Sequence, residues 1–275
     1  MEDVSLETVL AFEENPLTAS RNIPSSIKRK VRRACGFGCA LCGHPIFEYD
    51  HIVPFSQVKS HTVENLCCLC PTHHAEKTRK IIATELVSKA RMNPINVQTK
   101  NSKSHPLYFF GDYCLVEVGS IKNYVFKPSR AVKPAIYSPL VIRNEELIKI
   151  TFGNDEIILI DILVKNELDE IIIKIVENEL LFKADSWDIE FIANKLKVVE
   201  QKGDTALEMV LNAPYGVSIV KGELWNLGSF LKIEDGNVFT KSFNGASGAE
   251  LYNSRYGIVY NSREDFAPSG LFFLD

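Results

Sequence analysis

Apolar residues recur along this chain at two different periods. In Ser26-Ile27-Lys28-Arg29-Lys30-Val31-Arg32-Arg33-Ala34, the residues Ile27, Val31 and Ala34 fall on one helical face, behind Pro24 and Ser25, which suit a helix start. Gly36 and Gly38 end that element, and helical spacing resumes through Ile81, Ile82, Leu86, Val87 and Ala90. An acidic leader over residues 1–20, with Val4, Leu6, Val9, Leu10 and Phe12, reads as one short amphipathic packing helix. From Tyr108 onward the period becomes that of a strand. Ile148-Lys149-Ile150-Thr151-Phe152 and Ile173-Lys174-Ile175 alternate, residues 157–164 form a β-branched run, and residues 230–233 and 238–241 flank a hairpin turn at Glu234-Asp235-Gly236-Asn237. Turn signals recurring about every 10 residues predict a β-sandwich or barrel. Between them, residues 93–106 are rich in Asn, Thr, Ser, Lys and Pro and predict a linker. The expected architecture is therefore α+β: a leader (1–20), a compact N-terminal domain (21–92), the linker (93–106) and a β-rich domain (107–275).

Composition narrows this picture. With 275 residues, 45% of them apolar and 24% charged, the chain has the profile of a globular protein of two domains. Its longest aliphatic runs, at 157–160 and 171–173, are far shorter than the roughly 20 residues of a membrane-spanning helix. The first 15 residues hold five acids and no Lys or Arg, unlike a secretory signal, so the expected compartment is the cytoplasm. Six of the seven cysteines lie between Cys35 and Cys70, a clustering that in a reducing compartment points to metal ligation. The net charge of −4 conceals an asymmetry: residues 21–103 carry 14 Lys and Arg against 5 acids, whereas residues 104–275 carry 17 against 25. Such a split predicts that the first region meets a polyanion and the second does not.

The stretch from Cys39 to Lys80 has too little apolar periodicity to fold on its own core, so a metal is the expected substitute. Two ligand pairs lie 28 residues apart: Cys39-x2-Cys42, and Cys70-Pro71-Thr72-His73, followed at once by His74. Cys67-x2-Cys70 offers a competing register. Between the pairs stand Asp50-His51-Ile52-Val53-Pro54 and Asn65-Leu66. In this order of elements, residues 24–82 resemble the HNH, or ββα-metal, nuclease family. His73 departs from the two cysteines that usually close the family's finger, leaving a Cys3His set. The resemblance also selects a register, because with Cys67 and Cys70 as the pair, Pro71 would occupy the catalytic position. Cys67 and Cys68 then belong to the core.

What the resemblance implies is metal-dependent endonuclease activity on DNA, leaving 5′ phosphate and 3′ hydroxyl ends. Cys39, Cys42, Cys70 and His73 would hold a structural Zn²⁺; Asp50 and His74 would hold a catalytic Mg²⁺ or Mn²⁺. His51 would act as general base, with Asn65 fixing its orientation. Asp50 and His51 face opposite sides of a regular strand, so their joint use implies a strand end or a bulge. Lys28, Arg29, Lys30, Arg32 and Arg33, with Lys77, Arg79 and Lys80, are expected to grip the phosphate backbone. RNA offers the same phosphate chemistry, and a zinc-stapled nucleic-acid-binding protein without activity is the alternative class. A nick calls for one active site, a double-strand break for a homodimer or successive nicks. The β-rich domain would bind a protein partner, dimerise, recognise a target feature or restrain the nuclease, in a restriction, anti-phage defence or mobile-element setting. His44, His61 and His105 read as surface or turn residues, Trp187 and Trp225 as core anchors, and Cys35 and Cys114 as small buried apolar residues. Residues 244–248 read as a turn, and Tyr252, Tyr256 and Tyr260 as core or edge packing.

Overall fold

A computed structural model describes residues 20–129, 134–153, 155–201, 204–243, 245–262 and 270–273. The helix expected in the leader lies outside the described residues. The first described helix, α1 (Ser25–Ala34), starts behind Pro24 and ends in a turn at Cys35 to Phe37, where Gly36 and Phe37 both take positive φ. A small antiparallel ribbon follows, β1 (Glu48–His51), then a helical turn α2 (Phe55–Val58), then β2 (Leu66–Leu69). Helix α3 (Pro71–Thr78) leads directly off β2, with Pro71 in the first turn where its missing N–H costs nothing. Helix α4 (Thr84–Met92) begins two residues beyond the apolar pair at 81–82, and Ile81 is left exposed. This region has its own core, in which Val31, Leu66, Leu69 and Val87 pack with Cys35, Cys67 and Cys68.

The segment expected to be a free linker is instead docked. Helix α5 (Ile95–Thr99) places Asn96 at 1% exposure, where its amide donates to the carbonyls of Gly36 and Gly43. Those two glycines have positive φ, and a Cβ on Gly43 would come within 2.1 Å of Asn96 Oδ1. No side chain fits there. Strand β3 (His105–Pro106) then joins the β-rich region.

That region proceeds as a hairpin, β4 (Tyr113–Val118) and β5 (Ile121–Phe126); a meander, β6 (Ala135–Ile142), β7 (Glu145–Phe152), β8 (Ile158–Lys165), β9 (Ile171–Val176) and β10 (Glu179–Phe182); and a second meander, β11 (Asp188–Ile192), β12 (Lys195–Gln201), β13 (Asp204–Asn212) and β14 (Gly216–Asn226). After it come β15 (Ser229–Glu234), β16 (Asn237–Phe239), β17 (Glu250–Tyr252), β18 (Tyr256–Tyr260) and β19 (Leu271–Phe273). One sheet runs β19-β18-β6-β7-β8-β9-β10-β3, the other β11-β12-β13-β14-β4-β5-β17 with β15 and β16 beside β14. Both sheets feed a single apolar core. The predicted hairpin forms around Asp235 and Gly236, both at positive φ as a two-residue turn requires. The fold is thus α+β, with few helices and a β-rich C-terminal region. No helix among the described residues is long and apolar enough to cross a membrane.

The N-terminal and β-rich regions are joined by two buried contacts. Phe37 leaves the finger's core and packs in that of the sheets. Arg32, 5% exposed, forms a two-pronged pair with Asp188 at 2.6 and 3.0 Å, touches Glu190 at 2.5 Å, and donates to the Tyr49 hydroxyl at 2.8 Å. Beside it, the Arg29 guanidinium lies 4.4 Å over the Trp187 ring. The two tryptophans are not core anchors. Trp187 is a half-buried platform for Arg29, and Trp225 sits on the outward-facing register of β14, with its indole N–H donating to Glu223. Removing Arg32 alone strands a buried carboxylate, so Arg32→Ala should cost about 3–5 kcal/mol in denaturant unfolding. Arg32→Met combined with Asp188→Leu should recover most of that loss; an equal loss in both variants would show that the pair does not matter.

Candidate functional site

The site begins with a tight turn. Gly43 N–H donates to Cys39 O at 2.7 Å, closing the knuckle around Cys39 and Cys42, and Ala40 N–H donates to Cys68 O at 2.9 Å, fastening the knuckle to β2. Opposite it, Cys70 caps α3 in an extended conformation, so His73 follows within the first turn of the helix. The four ligand atoms of Cys39, Cys42, Cys70 and His73 all lie within 4.8 Å of one another. Cys42 Sγ is 3.8 Å from Cys70 Sγ, and His73 Nδ1 is 3.3 Å from both Cys39 Sγ and Cys70 Sγ. A tetrahedral zinc with bonds of about 2.3 Å to sulfur and 2.0–2.1 Å to nitrogen requires edges of roughly 3.8 and 3.5 Å, so this donor set fits zinc. The Cys39 and Cys42 thiols share a hydrogen bond that lowers the pKa of Cys39 and raises that of Cys42. Cys67 and Cys68 are fully buried away from this cluster, packed against Cys35. The group that could hold a metal ion thus pairs Cys70 with His73, and Cys67 lies outside it.

The next residue, His74, turns to a different neighbourhood. Strand alternation sets Glu48 and Asp50 on one side of β1, toward α3. His74 Nδ1 is 2.6 Å from Glu48 Oε2, and its Nε2 is 3.4 Å from Asp50 Oδ1. The Glu48 carboxylate accepts a hydrogen from Nδ1, an arrangement that would leave Nε2 available for a cation shared with Asp50. Lys77, one turn along α3, binds the other Asp50 oxygen and the His51 carbonyl. It is thus part of the site's own charge and not an outlying backbone contact.

His51 is the last residue of β1 and faces the other way, as expected of a strand end. Its ring lies 5.4 Å from that of Phe55 and 5.1 Å from that of His61, with Nε2 3.0 Å from His61 Nδ1. Partial burial lowers the His51 pKa, with His61 and Lys77 adding to the shift against Asp50, so the neutral ring is favoured. Asn65 does not touch this ring. It clamps the loop after it: its Oδ1 accepts from Val53 N–H at 2.8 Å, its Nδ2 donates to Val53 O at 3.0 Å, and its carbonyl accepts from Ile52 N–H at 2.8 Å. Asn65 therefore holds the backbone that follows His51 and not the His51 ring.

Of the basic residues expected to meet phosphate, Lys30, Arg33, Arg79 and Lys80 are exposed. Lys28 is half-buried, with its ammonium 5.7 Å from the Tyr49 ring. Arg32 is excluded, because its guanidinium is consumed by Asp188, Glu190 and Tyr49, and Arg29 is stacked on Trp187. Sequence reasoning passed over Glu48, although its place two residues before Asp50 puts both on one face. It also passed over Arg91, which donates to the carbonyls of Val63 and Leu66 and so braces the segment around Asn65. His61, expected as a surface or turn residue, stands half-buried in the loop between β1 and β2 and also touches His51, a contact that no spacing rule announces.

The purified chain should hold one zinc, lost in Cys42→Ser and His73→Ala and kept in Cys67→Ser, as metal analysis would read. Chelation should unfold the finger while the β-rich region keeps its own melting transition, because structural zinc contributes about 10–16 kcal/mol of folding free energy. Unchanged circular dichroism and melting after zinc removal would contradict this.

No curated protein and no solved structure matches the chain. Residues 35–80, which hold the knuckle, both strands of the ribbon and α3, match the family model of the HNH endonuclease, and it is to this family that the N-terminal part of the chain is similar.

Proposed function

We propose that the chain is a metal-dependent endonuclease that hydrolyses phosphodiester bonds of DNA at the mouth formed by β1 and α3. The observation that carries this reading is the convergence of His74 Nε2 and Asp50 Oδ1 at 3.4 Å, beside a His51 ring favoured in its neutral form. Asp50 and His74 would hold Mg²⁺ or Mn²⁺, which when bound neutralises charge on the scissile phosphate and the leaving 3′ oxygen. Glu48 holds the His74 ring in the tautomer that offers Nε2. His51 removes a proton from water as the new oxygen–phosphorus bond forms and the bond to the 3′ oxygen breaks. Asn65 keeps the loop after His51 in place for that transfer. Lys30, Arg33, Arg79 and Lys80 provide backbone contacts that do not read sequence.

The β-rich domain, acidic in balance and docked on α1, is suited to contact a protein partner or a second copy of the chain, and not a phosphate backbone. A restriction, anti-phage or mobile-element setting accords with that division of labour.

Purified protein with Mg²⁺ or Mn²⁺ should nick supercoiled plasmid, and EDTA should stop it. His51→Ala should lower the rate about 10²- to 10⁴-fold, the worth of a positioned general base, with folding and DNA binding retained. Cleavage at equal rates by wild type and His51→Ala would remove His51 from the mechanism.

A further inference from the structure

We infer that His61 is the positioning residue that fixes which nitrogen of His51 accepts the proton. This rests on the nuclease reading of His51 but stands on a separate set of contacts. His61 Nε2 is 2.8 Å from the carbonyl oxygen of Ser20, and a carbonyl only accepts, so this nitrogen carries hydrogen. In a neutral ring the other nitrogen, Nδ1, is then a bare lone pair. His51 Nε2 lies 3.0 Å from it and must be the donor. The hydrogen of neutral His51 is therefore held on Nε2, and Nδ1 is the nitrogen left to take a proton from water. Among the described residues no hydrogen bond engages His51 Nδ1.

Packing holds the relay in line. The Phe55 ring stacks on His61 at 4.9 Å with 12° between planes and also covers His51, so both imidazoles are gripped by one aromatic side chain. When His51 takes a proton on Nδ1, its bond to His61 becomes charge-assisted and stronger, which favours the transfer without any proton moving along the relay. The bond crosses 10 residues of chain and the next crosses 41, so the arrangement ties the segment before α1 to the loop between β1 and β2.

The test uses the full, zinc-loaded chain. In histidine labelled with ¹⁵N and observed near pH 8, where ordinary imidazoles are neutral, long-range ¹H–¹⁵N correlations should show wild-type His51, assigned with His51→Ala, protonated on Nε2. His61→Phe, which keeps a ring against Phe55 but has no acceptor, should lose that single tautomer. Its kcat should fall about 10- to 100-fold, the usual effect of deleting a partner that orients a functional histidine, with KM and zinc content unchanged. His61→Asn, which offers an amide oxygen near the place of Nδ1, should recover most of both. A wild-type His51 protonated on Nδ1, or equal losses in the Phe and Asn variants, would overturn the inference. A locked Nε2–H tautomer in a protein that cleaves nothing would uphold it while removing the nuclease reading.

Discussion

The constraint on which the N-terminal region depends is the tetrahedron of Cys39, Cys42, Cys70 and His73. The β1–β2 ribbon has four residues in each strand and would be marginal in water alone. Cys39, Cys42, Cys70 and His73 bring the knuckle to the β2–α3 junction with four donor atoms within 4.8 Å that could hold one metal ion, and Ala40 bonds back to Cys68, so a bound metal would fix the mutual geometry of ribbon and helix. That geometry passes directly to the next residue. Once His73 is held by its Nδ1, His74 is turned about 100° round the helix and meets Glu48 and Asp50. Structural ligation and the candidate chemistry are thus coupled through one peptide bond.

A second constraint reaches the ribbon from the sheets. Arg32 holds Asp188 on β11 with one edge and the Tyr49 hydroxyl with another nitrogen, and Tyr49 stands between Glu48 and Asp50. Burial of a guanidinium is tolerable because Asp188 accepts from two of its nitrogens and the Tyr49 hydroxyl from the third. Together with Phe37 it joins the two regions, so the position of β1 is linked to that of β11. A basic helix that seemed to belong wholly to a polyanion is shared between two surfaces.

The parts of this structure that repeat a simple rule were legible in the chain. Alternation marked β7 and β9, a β-branched run marked β8, Asp235-Gly236 marked the hairpin, and the Cys-x2-Cys spacing marked the knuckle. The ligand register was legible only through the order Asp50-His51, Asn65, His74, since Cys67 fits the spacing as well as His73 does. What escaped were contacts whose partners are remote in sequence. Asn and Ser between 93 and 106 looked like solvent-facing linker residues, yet Asn96 and Ser102 are buried because backbone carbonyls or N–H groups from distant turns meet them. Arg32 looked like its neighbours on α1, and only the fold reveals Asp188 156 residues away. The same blindness hid His61.

Alternation along β1 also separates two chemistries that would interfere if mixed. Glu48 and Asp50, two residues apart, share the face that meets α3, while His51 turns toward Phe55 and His61. A histidine on the acidic face would become one more ligand for a cation and would lose the lone pair a base requires. Placing it one residue on sets it against Phe55 and His61, where partial burial lowers its pKa. Ending the strand there frees the chain to turn at Ile52 and Val53, where Asn65 clamps it. On the proposed reading, the proximity of Asp50 and His51 in sequence would bring cation and base to one phosphate, and the pleat would keep them from competing for each other.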